Sequence, residues 1–179
     1  LVDPEFARGA RALCDRIGAA LILDEVRTTM RVDIHGAWES IGVRPDLSCF
    51  SKAMGNGQRI AAVTGIDALR DALSTMYVTG SFWFSAVPMA ASIATIKHMR
   101  DIDGTAQLVA AGERWRAGLA AQAEAGGVRV SLTGNPQMPQ TRFVDDDESF
   151  TLSNLFCSVA LDQGVFLHPW HNGFLSIAH

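Results

Sequence analysis

The amino-acid sequence predicts an α/β fold. Three observations carry this prediction. Segments with apolar residues at helical spacing alternate along the chain with short apolar runs. Those runs are four to six residues long, too short for helices. Gly, Pro or polar clusters separate successive segments.

The elements follow in order. Pro4 opens a helix in which Phe6, Ala10, Leu13 and Ile17 recur at helical spacing until Gly18 stops the pattern. Residues 19–23 form a continuous apolar run ending at Asp24, expected to be a parallel strand buried on both faces. After Pro45, residues 47–50 give a second strand that stops just before Ser51 and Lys52. Gly55-Asn56-Gly57 is a turn, residues 60–65 a third strand, and residues 66–73 are helical. Longer helices are predicted over 88–99 and 105–125, the second closed by Gly126-Gly127. A strand at 128–132, a polar loop through Pro136 and Pro139, a strand at 141–144 and a helix at 150–163 follow. Two short strands are expected to finish the chain. A boundary at 102–104 divides it into residues 1–103 and a smaller α/β unit, 104–179. There are no internal repeats and no low-complexity stretches.

Composition narrows the function. Of 179 residues, 48% are apolar and 19% charged, which excludes a disordered polypeptide. The net charge is −4, and no basic block supplies the footprint a nucleic-acid binder needs. No apolar run is long enough for a membrane span, and no signal-peptide pattern opens the chain. Cys14, Cys49 and Cys157 are odd in number and scattered, so reduced thiols in a cytoplasmic protein are expected. The chain opens without Met on Leu1-Val2-Asp3-Pro4, and its last residues read as a strand without a closing element. Both ends predict a piece of a longer protein.

The sharpest chemical feature is the pair Asp24 and Lys52, each ending an apolar strand. In open α/β sheets, ligands bind outside the carboxyl ends of strands. A carboxylate after Ala-Leu-Ile-Leu is expected to be partly desolvated, with something cationic opposite it. Asp24 and Val26 alternate onto one side of an extended segment, which suits a flat ring carrying a protonated nitrogen. Lys52 is one of only two lysines, with Lys97, and a desolvated amine there is available for a Schiff base. A Schiff-base lysine with an aspartate on a pyridinium nitrogen is the protein's share of pyridoxal phosphate chemistry.

These residues resemble a family. Leu21-Ile22-Leu23-Asp24-Glu25-Val26 and Phe50-Ser51-Lys52-Ala53-Met54-Gly55-Asn56-Gly57, with Lys52 standing 28 positions after Asp24, are similar to the class III (fold type I) aminotransferases. The likeness is greatest to the glutamate-1-semialdehyde aminomutase-like branch. Ala61-Ala62-Val63-Thr64-Gly65, Gly80-Ser81-Phe82-Trp83-Phe84-Ser85 and Gly164-Val165-Phe166-Leu167-His168-Pro169 extend it over nearly the whole chain, most poorly at 134–149.

The resemblance implies part of the large mixed-sheet domain of a pyridoxal-phosphate-dependent transferase, plus an incomplete small domain. It makes Lys52 the Schiff-base lysine, Asp24 the partner of the ring nitrogen, and Val26 the packing against one ring face. Ser81 falls where the family has a threonine that binds the cofactor phosphate of the neighbouring subunit. Phe84 stands where relatives carry polar residues. Arg27 and His171 are candidates for a substrate carboxylate. The phosphate-holding glycine turn and the second ring-stacking residue are implied to lie upstream of Leu1. The implied activity is amino-group transfer between a small-molecule amine or amino acid and a carbonyl acceptor, in a homodimer with shared active sites and no nucleic-acid or membrane partner. Intramolecular amino transfer by an aminomutase, or a catalytically incomplete subunit, are the alternatives.

Plainer readings stand beside these. Asp24 and Lys52 could be an ion pair joining two strands. Leu21-Ile22-Leu23-Asp24-Glu25 also fits a Walker B strand, but no G-x-x-x-x-G-K-[ST] loop is present. His168, His171 and His179 suggest a metal, but Pro169 opposes a helix that would bring the first two together. Asp145-Asp146-Asp147-Glu148 lacks the spacing of a calcium loop and is expected to precede a helix as solvated acid. Phe82-Trp83-Phe84 is expected at a subunit interface.

Overall fold

The computed structural model describes residues 2–179. They divide into two compact units, Val2–Thr105 and Ala106–His179.

The first unit opens with helix α1 (Pro4–Ile17). Asp3 caps it by accepting from the Glu5 N–H at 2.8 Å, and Pro4 occupies a first-turn position where no N–H is required. Gly18 ends it in the left-handed conformation, φ 69°. Strands β1 (Ile22–Asp24), β2 (Leu47–Phe50) and β3 (Ala62–Gly65) make a mixed sheet in that order. β1 and β2 are parallel, with Asp24 opposite Cys49; β2 and β3 are antiparallel, with Cys49 opposite Val63. Side-chain alternation therefore puts Leu23, Ser48 and Thr64 on one face and Asp24, Cys49 and Val63 on the other.

The core forms on the Leu23 face. Ala7 of α1, Trp38 and Val43 are buried together, with Leu21, Leu23, Ala37 and Ile41 packed around them. Asp46 fastens α1 to the sheet: its Oδ2 accepts from Arg11 and from the Leu21 N–H, both at 2.7 Å. Those two donors, the Leu21 N–H foremost, hold its carboxyl below the usual carboxylate range. Beyond β2, a 3-10 turn at Lys52–Gly55 packs against helix α3 (Ala86–Asp101). Close packing there requires Gly55, since a Cβ would lie 2.8 Å from Ile60 Cγ2.

Two expectations need correction in this unit. The first strand begins at Ile22 rather than Ala19, and it is not buried on both faces: Ile22 is 57% exposed and Asp24 is exposed. Among the described residues β1 is an edge strand, and α1 covers only its Leu23 side. The helix expected over 66–73 is split into a 3-10 turn, Asp67–Leu69, and a short α2 (Arg70–Ser74).

In the second unit, helix α4 (Gly104–Ala125) leads to an antiparallel pair, β4 (Val130–Thr133) and β5 (Gln140–Phe143). The connecting loop crosses α4 so closely that a Cβ on Gly112 would lie 2.1 Å from the Pro136 carbonyl oxygen. Helix α5 (Thr151–Asp162) packs on β5, with Phe143 and Phe156 edge to face at 5.4 Å. The acidic run opens this helix. Asp146 accepts from the N–H groups of Leu152 and Ser153 and from Ser153 Oγ, and Asp147 accepts from Thr151 N–H and Oγ1.

The two strands expected after α5 do not form. Gly173 and Leu175 donate to the carbonyls of Pro139 and Gln137 at 2.8 and 3.1 Å, but Pro139 has no N–H to return and no ladder develops. No helix among the described residues is long and apolar enough to cross a membrane.

Candidate active site

Parallel pairing sends the carboxyl ends of β1 and β2 to the same edge of the sheet. Asp24 is the last residue of β1, and Lys52 stands two residues beyond the end of β2. The topology thus brings a carboxylate and an amine to adjacent strand tips.

Neither group is as the sequence predicted in detail. Asp24 is exposed rather than desolvated, and no cation faces it among the described residues. Its chain turns back immediately, so Oδ1 accepts from the Val26 N–H at 2.9 Å. The second oxygen, Oδ2, has no protein partner among the described residues. Lys52 is exposed, and among the described residues its ammonium makes no hydrogen bond or ion pair. An Asp24–Lys52 ion pair is therefore absent from the structure, which removes the plain strand-joining alternative.

The Lys52 backbone is unusual. Its φ is 48°, in the left-handed region that side-chain-bearing residues avoid at a cost of about 1–2 kcal/mol. Such strain persists only where neighbours over-determine it. Ser51 does so here: its Oγ donates to the Ile60 carbonyl at 2.8 Å, closing the loop that carries Lys52. Sequence reasoning gave Ser51 no role.

It also missed Glu25, which is 1% exposed and the largest fully buried side chain. Oε1 accepts from the Ala37 N–H at 2.8 Å, and Oε2 takes a short hydrogen bond from Thr28 Oγ1. The signal was available: alternation sends Glu25 to the face opposite Asp24, the face α1 covers. A hollow of about 430 Å³, lined in part by Glu25, Trp38, Ser48 and Thr64, lies on that same face and includes neither Asp24 nor Lys52.

The other predicted residues are placed as follows. Val26 is half-buried and lies in a turn rather than an extended segment, because the Glu25 carbonyl accepts from the Thr28 and Thr29 N–H groups; the expected alternation of Asp24 and Val26 along a strand therefore does not hold. Arg27 is exposed, and its carbonyl accepts from Arg31 at 2.9 Å. Ser81 and Phe84 lie in the exposed turn before α3; Phe84 has φ 62° and meets Trp83 edge to face at 5.5 Å. No hydrogen bond joins Ser81 to Asp24 or Lys52. In the second unit, His168 Nδ1 accepts from the His171 N–H at 3.2 Å, and the two rings lie 5.9 Å apart. No cluster of three or more metal-ligating side chains exists among the described residues.

A carbonyl-bearing pyridinium cofactor fits this donor set. It needs a free primary amine, a carboxylate oxygen and an apolar wall. Lys52 Nζ, Asp24 Oδ2 and Val26 present these at one sheet edge.

Comparison with known proteins gives the class. The family model for class-III aminotransferases matches residues 1–179, and the chain belongs to that family. It is 46% identical over 179 residues to an aminopentol aminotransferase of Sphingopyxis macrogoltabida, covering all of this chain and 42% of that protein. A 3-aminobutyryl-CoA aminotransferase of Cloacimonas acidaminovorans is 32% identical over 180 residues, with 98% of this chain and 43% of that protein covered. Among solved structures, the pyridoxal phosphate internal-aldimine form of the FumI protein of Sphingopyxis sp. MTA144 superposes with a TM-score of 0.96. It is 46% identical and covers all of this chain and 43% of that one. The fold is that of the fold type I transaminases, and pyridoxal phosphate is the family's cofactor. The chain spans less than half the length of the relatives it matches.

Proposed function

We propose that this chain belongs to a pyridoxal-phosphate-dependent aminotransferase that moves an amino group from a small-molecule amine to a separate carbonyl acceptor. The observation that carries the reading is the delivery of Asp24 and Lys52 to neighbouring tips of parallel strands, in a chain whose whole length matches the family. When bound, pyridoxal phosphate supplies an electron-accepting ring and a carbonyl that condenses with amines. Lys52 Nζ would hold that carbonyl and would carry the proton moved at the donor's α-carbon. Asp24 Oδ2 would keep a proton on the ring nitrogen, and Val26 would offer an apolar wall to the ring.

Relatives named as aminotransferases favour transfer between two molecules over an aminomutase. The name of the 46%-identical relative points to a donor whose amine sits on a polyhydroxylated chain. Arg27, an exposed guanidinium three residues beyond Asp24, is suited to a carboxylate on the acceptor. We read residues 1–103 as part of the cofactor-binding domain and 104–179 as part of a small domain. Exposed Phe82, Trp83, Phe84 and Val87 support a homodimer in which Ser81 serves the partner's cofactor phosphate. Three free cysteines suit a reducing cytoplasm.

The test is optical. The purified chain mixed with pyridoxal phosphate is expected to turn yellow through a lysine-linked chromophore, and Lys52→Ala to lose that band. A chain that stays colourless, or a variant that keeps the band, contradicts the proposal.

A further inference from the structure

We infer that Glu25 is a positioning residue: a buried clasp that sets the direction of Asp24 and Val26 without touching cofactor or substrate. The inference deepens the aminotransferase reading and, for its consequence on cofactor binding, rests on it.

A glutamate carboxylate is costly to bury unless its oxygens are satisfied. Glu25 is nonetheless the most thoroughly enclosed large side chain described, and both oxygens are engaged. Through Oε1 it holds the Ala37 N–H, twelve residues downstream, and through Oε2 the Thr28 hydroxyl. Its own N–H donates to the Cys49 carbonyl at 2.9 Å, continuing the β1–β2 pairing one step past the strand. Its carbonyl accepts from Thr28 and Thr29, closing a helical turn. Glu25 is therefore bonded to four residues: across to Cys49 of β2, forward to Thr28 and Thr29, and out to Ala37.

Space at the clasp is tight. A Cβ on Gly36 would lie 3.0 Å from Glu25 Oε1, and Gly36 has φ 124°, so residue 36 is open only to glycine. Asp24 and Val26 flank this fixed point. With Glu25 pinned into the α1 side, Asp24 is turned to the opposite face, and the Val26 N–H at the start of the turn binds Asp24 Oδ1 and leaves Oδ2 outward. Loosening the clasp frees residues 25–29 to rotate and removes the geometric reason for the Asp24–Val26 bond.

The role is geometric rather than electrostatic, which fixes the pattern expected of variants. Glu25→Gln keeps an oxygen for the Ala37 N–H and offers an amide N–H to the Thr28 oxygen. Glu25→Leu removes both bonds. Thr28→Val removes one bond with little change of shape, and Thr28→Ser restores it.

The experiment is amide hydrogen exchange at Val26 in the purified chain without cofactor, with the Ser153 amide of the second unit as internal reference. Thr28→Val is expected to speed Val26 exchange by about tenfold, the scale of one lost hydrogen bond, and Glu25→Leu, which removes two, by more than that. Glu25→Gln and Thr28→Ser are expected to stay close to the parent, and Ser153 to stay unchanged in all. If Glu25→Leu does not fold, Thr28→Val against Thr28→Ser decides. Unchanged Val26 exchange in Thr28→Val, or a Glu25→Gln chain as fast as Glu25→Leu, overturns the inference. In chains that take up pyridoxal phosphate, the same two disruptive variants are expected to bind it more weakly. A parent chain that binds none refutes the cofactor reading and leaves the exchange result to judge Glu25.

Discussion

Lys52 carries a left-handed backbone and a side chain with no partner among the described residues. Strain at such a residue costs stability, and the proposed role of the amine gives a reason for keeping it. Asp24 completes it, with one oxygen engaged by the Val26 N–H and one outward. Replacing Asp24 by Asn keeps the shape but removes the charge that, in the proposed role, holds a proton on a ring nitrogen. The expected outcome is a retained visible band with turnover reduced by about 10² or more, the scale of a lost proton-transfer or charge-stabilising role. Unchanged turnover in Asp24→Asn would remove that role. Their places at neighbouring strand tips were legible in the sequence because each is a polar residue ending an apolar run, followed for Lys52 by a glycine turn. Glu25 was not, because a second acid after the first reads as solvated until the strand's faces are known. The expectation of a desolvated Asp24 failed for a related reason: β1 is an edge strand among the described residues, and its Asp24 face is open.

Elements whose apolar spacing agreed with their caps were read closely. β2 has the predicted limits, and α1 starts at the predicted Pro4. The final segments were misread because short apolar runs near proline look like strands whether or not a partner can return hydrogen bonds. The acidic run before α5 illustrates how an element is held. Burial pushes the Asp146 carboxyl up, but Ser153 Oγ and the N–H groups of Leu152, Ser153 and Asp147 together draw it below the usual range. Thr151, through Oγ1 and N–H, does the same for Asp147. A carboxylate with a lowered folded pKa stabilises the fold above its ordinary value of about 3.9 and loses that contribution as pH falls through the lowered value. Asp146→Asn is therefore expected to lower the thermal midpoint at pH 7, with the gap to the parent closing toward pH 3. A gap that stays constant across that range would show that the charge does not cap α5.

On the scale of the whole molecule, the sequence showed the α/β class and the family through two motifs and their 28-residue separation. It also expected Phe82-Trp83-Phe84 at an interface, and these residues are open in this chain, which spans less than half the length of its relatives. Phe82 and Phe84 are each 78% exposed, beside Trp83 and Val87. Patches of this kind mark interaction surfaces. A second copy is the occupant the proposal names, so sedimentation is expected to give a dimer for the parent chain. A shift toward monomer is expected for a Phe82→Ser, Phe84→Ser double variant. Equal mass for the two would place the contact elsewhere.

The central claim is that Lys52, rather than Lys97, holds the cofactor, and having only two lysines makes the test clean. The chain is incubated with pyridoxal phosphate, reduced with borohydride to make the linkage permanent, and mapped by peptide mass. The account predicts the added pyridoxyl mass on the peptide containing Lys52 and none on the peptide containing Lys97. Label on Lys97, or equal label on both, would contradict it.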